Sequence, residues 1–572
     1  LDVWGGVCGG LLGALLLIPS RPAFVIAQCV GLSYLMPALL LALRSKRNVP
    51  ALLSLILLVS FSLLVFTPLE RISAGWLFPG QDVVATGISK YSQLAVVRDA
   101  GQYSLYENGQ LAALWPDAIG AEERCLVPLS LVARPARVLL IGGGLADCAL
   151  LASLPGVRTT YLEIDPQAWG LFYPRIGEAA QHLVYSASVD VVFADYRAFL
   201  NRYRGPKYDL ALVNLPDPYN AGINRGYTRE CFRALKEVLA DSGVARLSIV
   251  SDENYLSPAL RGLDGSILRT VAGCFPRTAL LSGDRLVILA STANRLAVHP
   301  DTVMARLRRL GVAPRYLSRE YLSSRILPDR IGFVGDQLAR ERAPENRDLR
   351  PVGYAYQLRL SSLLLKNGAF AGLLGRALDA DWRILIALGL LFLIPLIKPG
   401  TRIPCAALAA GFAGMVALMA VLLAFQARQG YVYHLVALVS ACYLAGLALG
   451  GAAPGTSRGS PALSLAGSSL VMLILIPLSS LRLAPLPLLA LFCGCAALAG
   501  VCGGRALASL VTQGRGTAGT LYAFDLVGGA VGAVGFALWW LPAFGQTASL
   551  LAAAVLLVPV ILLILPLTSR GN

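Results

Sequence analysis

Two textures alternate along this chain. Apolar runs stand at about 5–20, 23–43 and 50–67, and again at about 383–397, 404–425, 431–451, 462–480, 484–503, 518–541 and 546–567. Each approaches the length of helix, about 20 residues, that crosses a hydrocarbon core of roughly 30 Å. Between the two groups, residues 68–380 mix polar and apolar positions with strand and helix periods and are long enough to bury a large core. The expected architecture is a polytopic α-helical membrane protein of about ten spanning helices with an inserted α/β Rossmann-like domain. Its parts are an N-terminal transmembrane block (1–67, about three helices), a β-hairpin subdomain (68–120), an α/β domain (121–295), an Arg-rich cover and connector (296–380) and a C-terminal transmembrane block (381–572, about seven helices).

Inside the polar stretch, "VVATGISKYSQLAVVRDAGQYSLYENGQLAAL" predicts two alternating strands joined at Asn108-Gly109, a dipeptide that favours a type I′ hairpin. "RVLLIGGGLADCALLASLPG" predicts a buried strand, a turn at Gly142, Gly143 and Gly144, and a helix. Further strands are "TTYLEIDPQAW", ending in Glu163 and Asp165; "VDVVFADYRAFL", ending at Asp195; "YDLALVNLPDP", carrying Asn214 and Asp217; and "GVARLSIV". Strands alternating with helices predict an open parallel sheet with a ligand crevice above its C-terminal strand ends. Glycines there let backbone N–H groups approach a ligand, and a carboxylate ending the second strand can hold both ribose hydroxyls. An acid ending the third strand can accept from an adenine amino group. The set favours an S-adenosyl-type nucleoside over a dinucleotide; a phosphate-binding Rossmann domain is the competing reading.

Composition sharpens this picture. The 572 residues are 56% hydrophobic and 14% charged, with mean hydropathy +0.64, too apolar for a soluble protein. The net charge of +16 is not gathered into a basic stripe with interleaved aromatics, so no nucleic-acid partner is expected. Seven of the eleven cysteines lie in apolar runs, and Cys125, Cys148, Cys231 and Cys274 have no metal spacing. With three histidines in the chain, no metal is expected.

A repeat joins the two ends. "DVWGGVCGGLLGALLLIP" (2–19) matches "DLVGGAVGAVGFALWWLP" (525–542) at Asp2/Asp525, Gly5/Gly528, Gly6/Gly529, Gly9/Gly532 and Pro19/Pro542. Glycines at such spacing allow close helix approach in lipid. The second copy is preceded by helices that the first lacks, so a segment upstream of Leu1 is expected, and it or other membrane subunits are candidate partners beside the bilayer. His434 and Asp525 fall in apolar runs and are expected to pair or to line a polar path, or else to sit at interfaces. The basic loops leave the side of the membrane that the α/β domain faces open.

The hairpin followed by "VLLIGGG", "LEID", "ADYRAFL" and "YDLALVNLPDP" resembles the spermidine synthase (polyamine aminopropyltransferase) family over residues 83–295. "NLPDPYNAGINRGYT" and "NRDLRPVGY" resemble the multi-pass membrane proteins, of a bacterial inner membrane, that carry such a domain. The resemblance implies aminopropyl transfer from decarboxylated S-adenosylmethionine to a small amine, with Gly142, Gly143, Gly144, Glu163 and Asp195 binding the nucleoside and Asp217, with Asn214, the attacking amine. This sequence departs from the pattern at Leu145, where the family has an acid that pairs with the aminopropyl ammonium. It departs again at Asn214, the first acid of the family's pair, and by lacking a histidine in "EERCLVPL". Asp147 is a substitute on a helix, expected to point elsewhere. Two alternatives therefore stand: an inactive scaffold or nucleoside sensor, and a methyltransferase using S-adenosylmethionine, whose carboxylate Leu145 would admit.

Overall fold

The computed structural model describes residues 2–17, 21, 23–45, 48–64, 69–293, 296–379, 383, 399–430, 433–452, 461–479, 481, 484–512 and 517–568. The expected span at 383–397 lies outside the described residues, apart from Arg383.

The polar middle opens with a four-stranded antiparallel meander: β1 (Asp82–Ile88), β2 (Gln93–Asp99), β3 (Gln102–Glu107) and β4 (Gln110–Trp115). Asn108 and Gly109 have φ of +51° and +76°, the paired positive values of a type I′ turn. The expectation of two strands was too few, because a second positive-φ pair at Ala100 and Gly101 (+44° and +85°) folds the preceding stretch into another hairpin.

The main sheet has seven strands: β5 (Arg137–Ile141), β6 (Arg158–Glu163), β7 (Val189–Phe193), β8 (Tyr208–Val213), β9 (Leu239–Val250), β10 (Arg277–Leu281) and β11 (Arg285–Ser291). Their order is β10-β11-β9-β8-β5-β6-β7. Strands β7, β6, β5, β8 and β9 run parallel, while β11 is antiparallel to β9 and β10 is antiparallel to β11. Both faces are covered, which is why β5 reads as an unbroken apolar run. Val138 and Leu140 enter one core, with Leu126 and Leu151; Leu139 and Ile141 enter the other, with Phe232 and Leu263. The Arg-rich stretch also reaches the sheet's cores, Val303 and Leu307 of helix Pro300–Arg309 joining the first and Val334 and Leu338 of helix Pro328–Arg340 the second.

Among the described residues, six helices are long and apolar enough to cross a membrane, or seven if a bent pair counts as one span, rather than about ten. At the N-terminal end, 5–20 forms only the short apolar helix Gly5–Leu17, and 50–67 becomes Asn48–Leu64 bent by 79° to Leu69–Leu77. At the other end, the two last expected spans run together as Ala518–Leu565, broken at Gly545, whose φ is +80°.

The C-terminal helices pack as a bundle with its own core around Ala417, Phe425, Phe492 and Leu557. Its glycines sit where backbones meet: Gly528 faces Leu408 O, Gly411 faces Asp525 O, and Gly504 faces Leu447 O. The repeat has a structural counterpart, because a π-turn follows each glycine segment at matching positions, Gly13–Leu17 and Phe536–Trp540. The glycines themselves do not act alike, since a side chain at Gly5 or Gly9 would meet open space. No His434–Asp525 ion pair is present among the described residues, and His434 Nδ1 is buried without a hydrogen-bond partner.

Candidate nucleoside site

Strand order reverses between β5 and β8, and a crevice opens at such a switch point. Gly142 and Gly143, at φ of +69° and +68°, turn the chain out of β5 through the left-handed region that glycine tolerates. The Gly142 N–H donates to Leu162 O at 3.0 Å. A Cβ on Gly143 would lie 2.6 Å from Asn214 O, so the loops after β5 and β8 touch. Gly144 lies back from the site as the N-cap of helix Leu145–Ala152, and its carbonyl accepts from Cys148 N–H at 2.8 Å.

Two cavities meet at that contact, sharing Gly143, Asn214, Leu215 and Pro216. The smaller, 130 Å³, brings Gly142, Gly143, Asn214, Glu163 and Asp195 together. Glu163 is held by the Tyr161 hydroxyl at 3.2 Å and the Asp165 N–H at 3.0 Å, and burial raises its pKa. Facing the same space is Glu107, at the end of β3, pushed up to about 8 by burial and then by Glu163 and Asp165. Two carboxyl groups on one cavity suit a pair of hydroxyls. Asp195 caps helix Tyr196–Arg202 through Ala198 N–H at 2.9 Å, and its Oδ1 also accepts from the buried Arg225 at 2.8 Å. Its Oδ2 faces Gly430, where helix Arg402–Gln429 of the bundle ends, so the bundle abuts this wall.

Glu107 carries a pH signature. A carboxyl whose folded pKa is raised binds its proton more tightly in the folded chain, so its stabilisation is full below its ordinary 4.5 and is lost as pH rises to about 8. Glu163 contributes with the same sign. Glu107→Gln is therefore expected to flatten the fall in thermal midpoint across that window, and a midpoint–pH slope identical to that of the unsubstituted protein would contradict this placement.

The larger cavity, 330 Å³, has a polar wall that is bonded internally. Asn214 donates to Asp147 Oδ2 at 2.6 Å and accepts from Arg246 Nη1 at 2.8 Å. Asp147, expected to point elsewhere, instead points at Asn214, fully buried and bonded by Arg124 through Nε and Nη2 at 3.0 and 2.6 Å. Asp217 lines neither cavity. It accepts from Arg285 Nη2 and Val250 N–H at 2.8 and 3.0 Å, with Arg285 standing between it and the larger space. Leu145 is buried at 3% exposure, so that position presents nothing polar to a ligand. Sequence reasoning missed Glu107, Arg124, Arg246 and Arg285; only Glu107 carried a signal, its place beside Asn108-Gly109. Among the described residues, no group of three or more metal-ligating side chains gathers.

A second motif locks the α/β domain to the bundle. Asn346 is fully buried, donating to Asn224 Oδ1 and Tyr227 O and accepting from Gly353 N–H. Asp348 receives Arg197 Nη2 at 2.9 Å and Thr228 Oγ1 at 2.6 Å. The Leu349 carbonyl accepts from Gln546 N–H at 2.8 Å, and the Arg350 side chain donates to the carbonyls of Pro542 and Ala543.

With that geometry in place, the likeness to known proteins can be set beside it. No family model matches the chain. It is 30% identical over 184 residues, 31% of its length, to "Polyamine aminopropyltransferase 2" of Ralstonia nicotianae, and 28% identical over 287 residues, 48% of its length, to "Polyamine aminopropyltransferase" of Corynebacterium efficiens. The matched stretches span 36% and 54% of those relatives. Among solved structures, a spermidine synthase in complex with the transition-state analogue AdoDATO aligns with 45% of this chain and 89% of its own at 19% identity and a TM-score of 0.38. Spermidine synthase from Thermotoga maritima aligns with 45% and 88% at 18% identity and 0.37. The chain thus carries a stretch similar to polyamine aminopropyltransferases, seated in an α/β domain and joined to helices long and apolar enough to cross a membrane.

Proposed function

We propose that the α/β domain binds an S-adenosyl-type nucleoside and transfers an alkyl group from its sulfonium to an amine, the aminopropyltransferase chemistry named for its relatives, in a chain anchored in a bilayer by its apolar helices. The observation that carries this reading is the meeting of two cavities at Gly143 and Asn214, one of them faced by Glu107 and Glu163. The nucleoside half fits those residues. Glu163 and Glu107 accept from ribose hydroxyls, Gly142 and Gly143 leave room for the sulfonium end, and Asp195 with Arg225 closes the adenine end.

The bound sulfonium supplies an activated carbon, at which a C–S bond breaks as an N–C bond forms. An ammonium has no lone pair, so this chain must hold the acceptor nitrogen neutral and take up its proton. Asp217 is the carboxylate that the resemblance assigns to the amine, and it can serve only if Arg285 swings away from it. That engagement favours a second reading, in which the domain binds the nucleoside as a sensor or scaffold without transfer.

Binding of 5′-methylthioadenosine by the full chain in detergent tests what both readings share. A saturable, nucleoside-specific rise in thermal midpoint supports it; the same midpoint with and without nucleoside at millimolar concentration would sink it.

A further inference from the structure

Arg246 is the polar group that neither the fold nor the proposed chemistry absorbs. It sits within β9, at register with Leu212 of β8, and only 6% of it is exposed. Its guanidinium reaches the larger cavity on the side where Asn214 joins the two spaces. The charged groups around it are already matched. Asp147 takes Arg124, Asp117 takes Arg124, and Asp217 takes Arg285. Among the described residues, the Arg246 guanidinium donates to the amide oxygen of Asn214, a neutral partner, and to no carboxylate.

Burial, followed by repulsion from Arg124, pulls its pKa down to about 10, the signature of a cation short of counter-charge. A guanidinium presents five donors in a fixed fork, and its favoured complement is a carboxylate or phosphate. Next to Asn214, Leu145 is apolar and buried and Asp147 is bonded by both Arg124 and Asn214, while the other carboxylates on the larger cavity, Asp117, Glu123 and Asp284, pair with Arg124 and Arg325.

We infer that Arg246 is a subsite for a carboxylate on the sulfonium substituent of the bound nucleoside, so that the donor is S-adenosylmethionine-like rather than decarboxylated. This rests on the nucleoside reading above and specifies the donor within it; the alkyl group transferred is then methyl or 3-amino-3-carboxypropyl in place of the relatives' aminopropyl. Asn214 then acts as a positioning residue, holding the guanidinium one side chain away from the sulfonium end of the smaller cavity. A donor tail ending in a lone ammonium would meet a buried cation there, and one bearing a carboxylate would complete its charge.

The test compares three ligands on the full chain in detergent: 5′-methylthioadenosine, S-adenosylmethionine and decarboxylated S-adenosylmethionine. A charge-assisted contact predicts that S-adenosylmethionine binds roughly tenfold or more tighter than the decarboxylated form. Arg246→Gln should erase that preference while leaving 5′-methylthioadenosine affinity within about twofold, and Arg246→Lys should restore part of it. Equal or tighter binding of decarboxylated S-adenosylmethionine by the unsubstituted chain overturns the inference without any variant having to fold. An equal loss for all three ligands in Arg246→Gln also overturns it, since that marks a purely structural role. If 5′-methylthioadenosine binds and the preference is absent, only the carboxylate subsite falls. If none of the three binds, the nucleoside reading falls and the subsite with it.

Discussion

Asp348→Ala is expected to lower the stability of the protein by about 3–5 kcal/mol, the cost of removing one partner from a buried ion pair. Asp348 and Arg197 each keep only 10% of their side chain exposed, and Asp348 also accepts from Thr228 Oγ1. Removing the carboxylate leaves Arg197 buried with the Arg225 carbonyl and a hydroxyl for company. The neighbours matter too. Thr228 and Arg197 brace the segment carrying Arg225, which pairs with Asp195 on the smaller cavity, and Leu349 and Arg350 beside Asp348 tie its segment to the bundle at Gln546 and Pro542. The check is the thermal midpoint of the detergent-purified chain, which should fall by several degrees or more, with Asp348→Asn falling less. An unchanged midpoint for Asp348→Ala would mean that the pair contributes nothing to the junction.

Glu163→Ala is expected to weaken 5′-methylthioadenosine binding by roughly a hundredfold or more, because a carboxylate accepting two hydroxyls loses two charge-assisted hydrogen bonds of about 1.5–3 kcal/mol each. The fold should tolerate the change. Glu163 ends β6, and its side chain accepts from the Tyr161 hydroxyl and from the Asp165 N–H at its own strand exit. Removing it also relieves a buried carboxyl whose pKa is raised by that burial, so the empty protein should be no less stable near neutral pH. Direct titration by calorimetry reads both effects. Retention of affinity within a fewfold would place the ribose elsewhere.

How far the sequence carried the reading depends on distance along the chain. Glu163, Asp195 and Asn214 were legible because each closes an apolar strand run, and strand ends are where open sheets bind ligands. Arg246 and Arg285 were not, because they lie inside or at the start of strands with no motif around them. Their place at the site comes from β9 lying beside β8 and β11 beside β9, pairings set by long-range packing. Asp147 shows the converse: helix geometry suggested that it points away, yet Arg124, reached from another helix, and Asn214 hold it against the wall. Among the described residues the helix count came out lower in part because hydropathy marks apolar runs but not where a backbone bends, as it does by 79° after Leu64; the break at Gly545 falls between the two runs expected at 518–541 and 546–567.

The most direct test of the central claim, that this domain is a sulfonium-nucleoside transferase fused to apolar helices, is nucleoside product release. The purified full chain would be incubated with S-adenosylmethionine or decarboxylated S-adenosylmethionine and a panel of amines, and the nucleoside products quantified by mass spectrometry against Glu163→Ala. The account predicts a product whose appearance requires both an amine and Glu163. Products at the same level in the unsubstituted and Glu163→Ala proteins, with every amine and either donor, would contradict it.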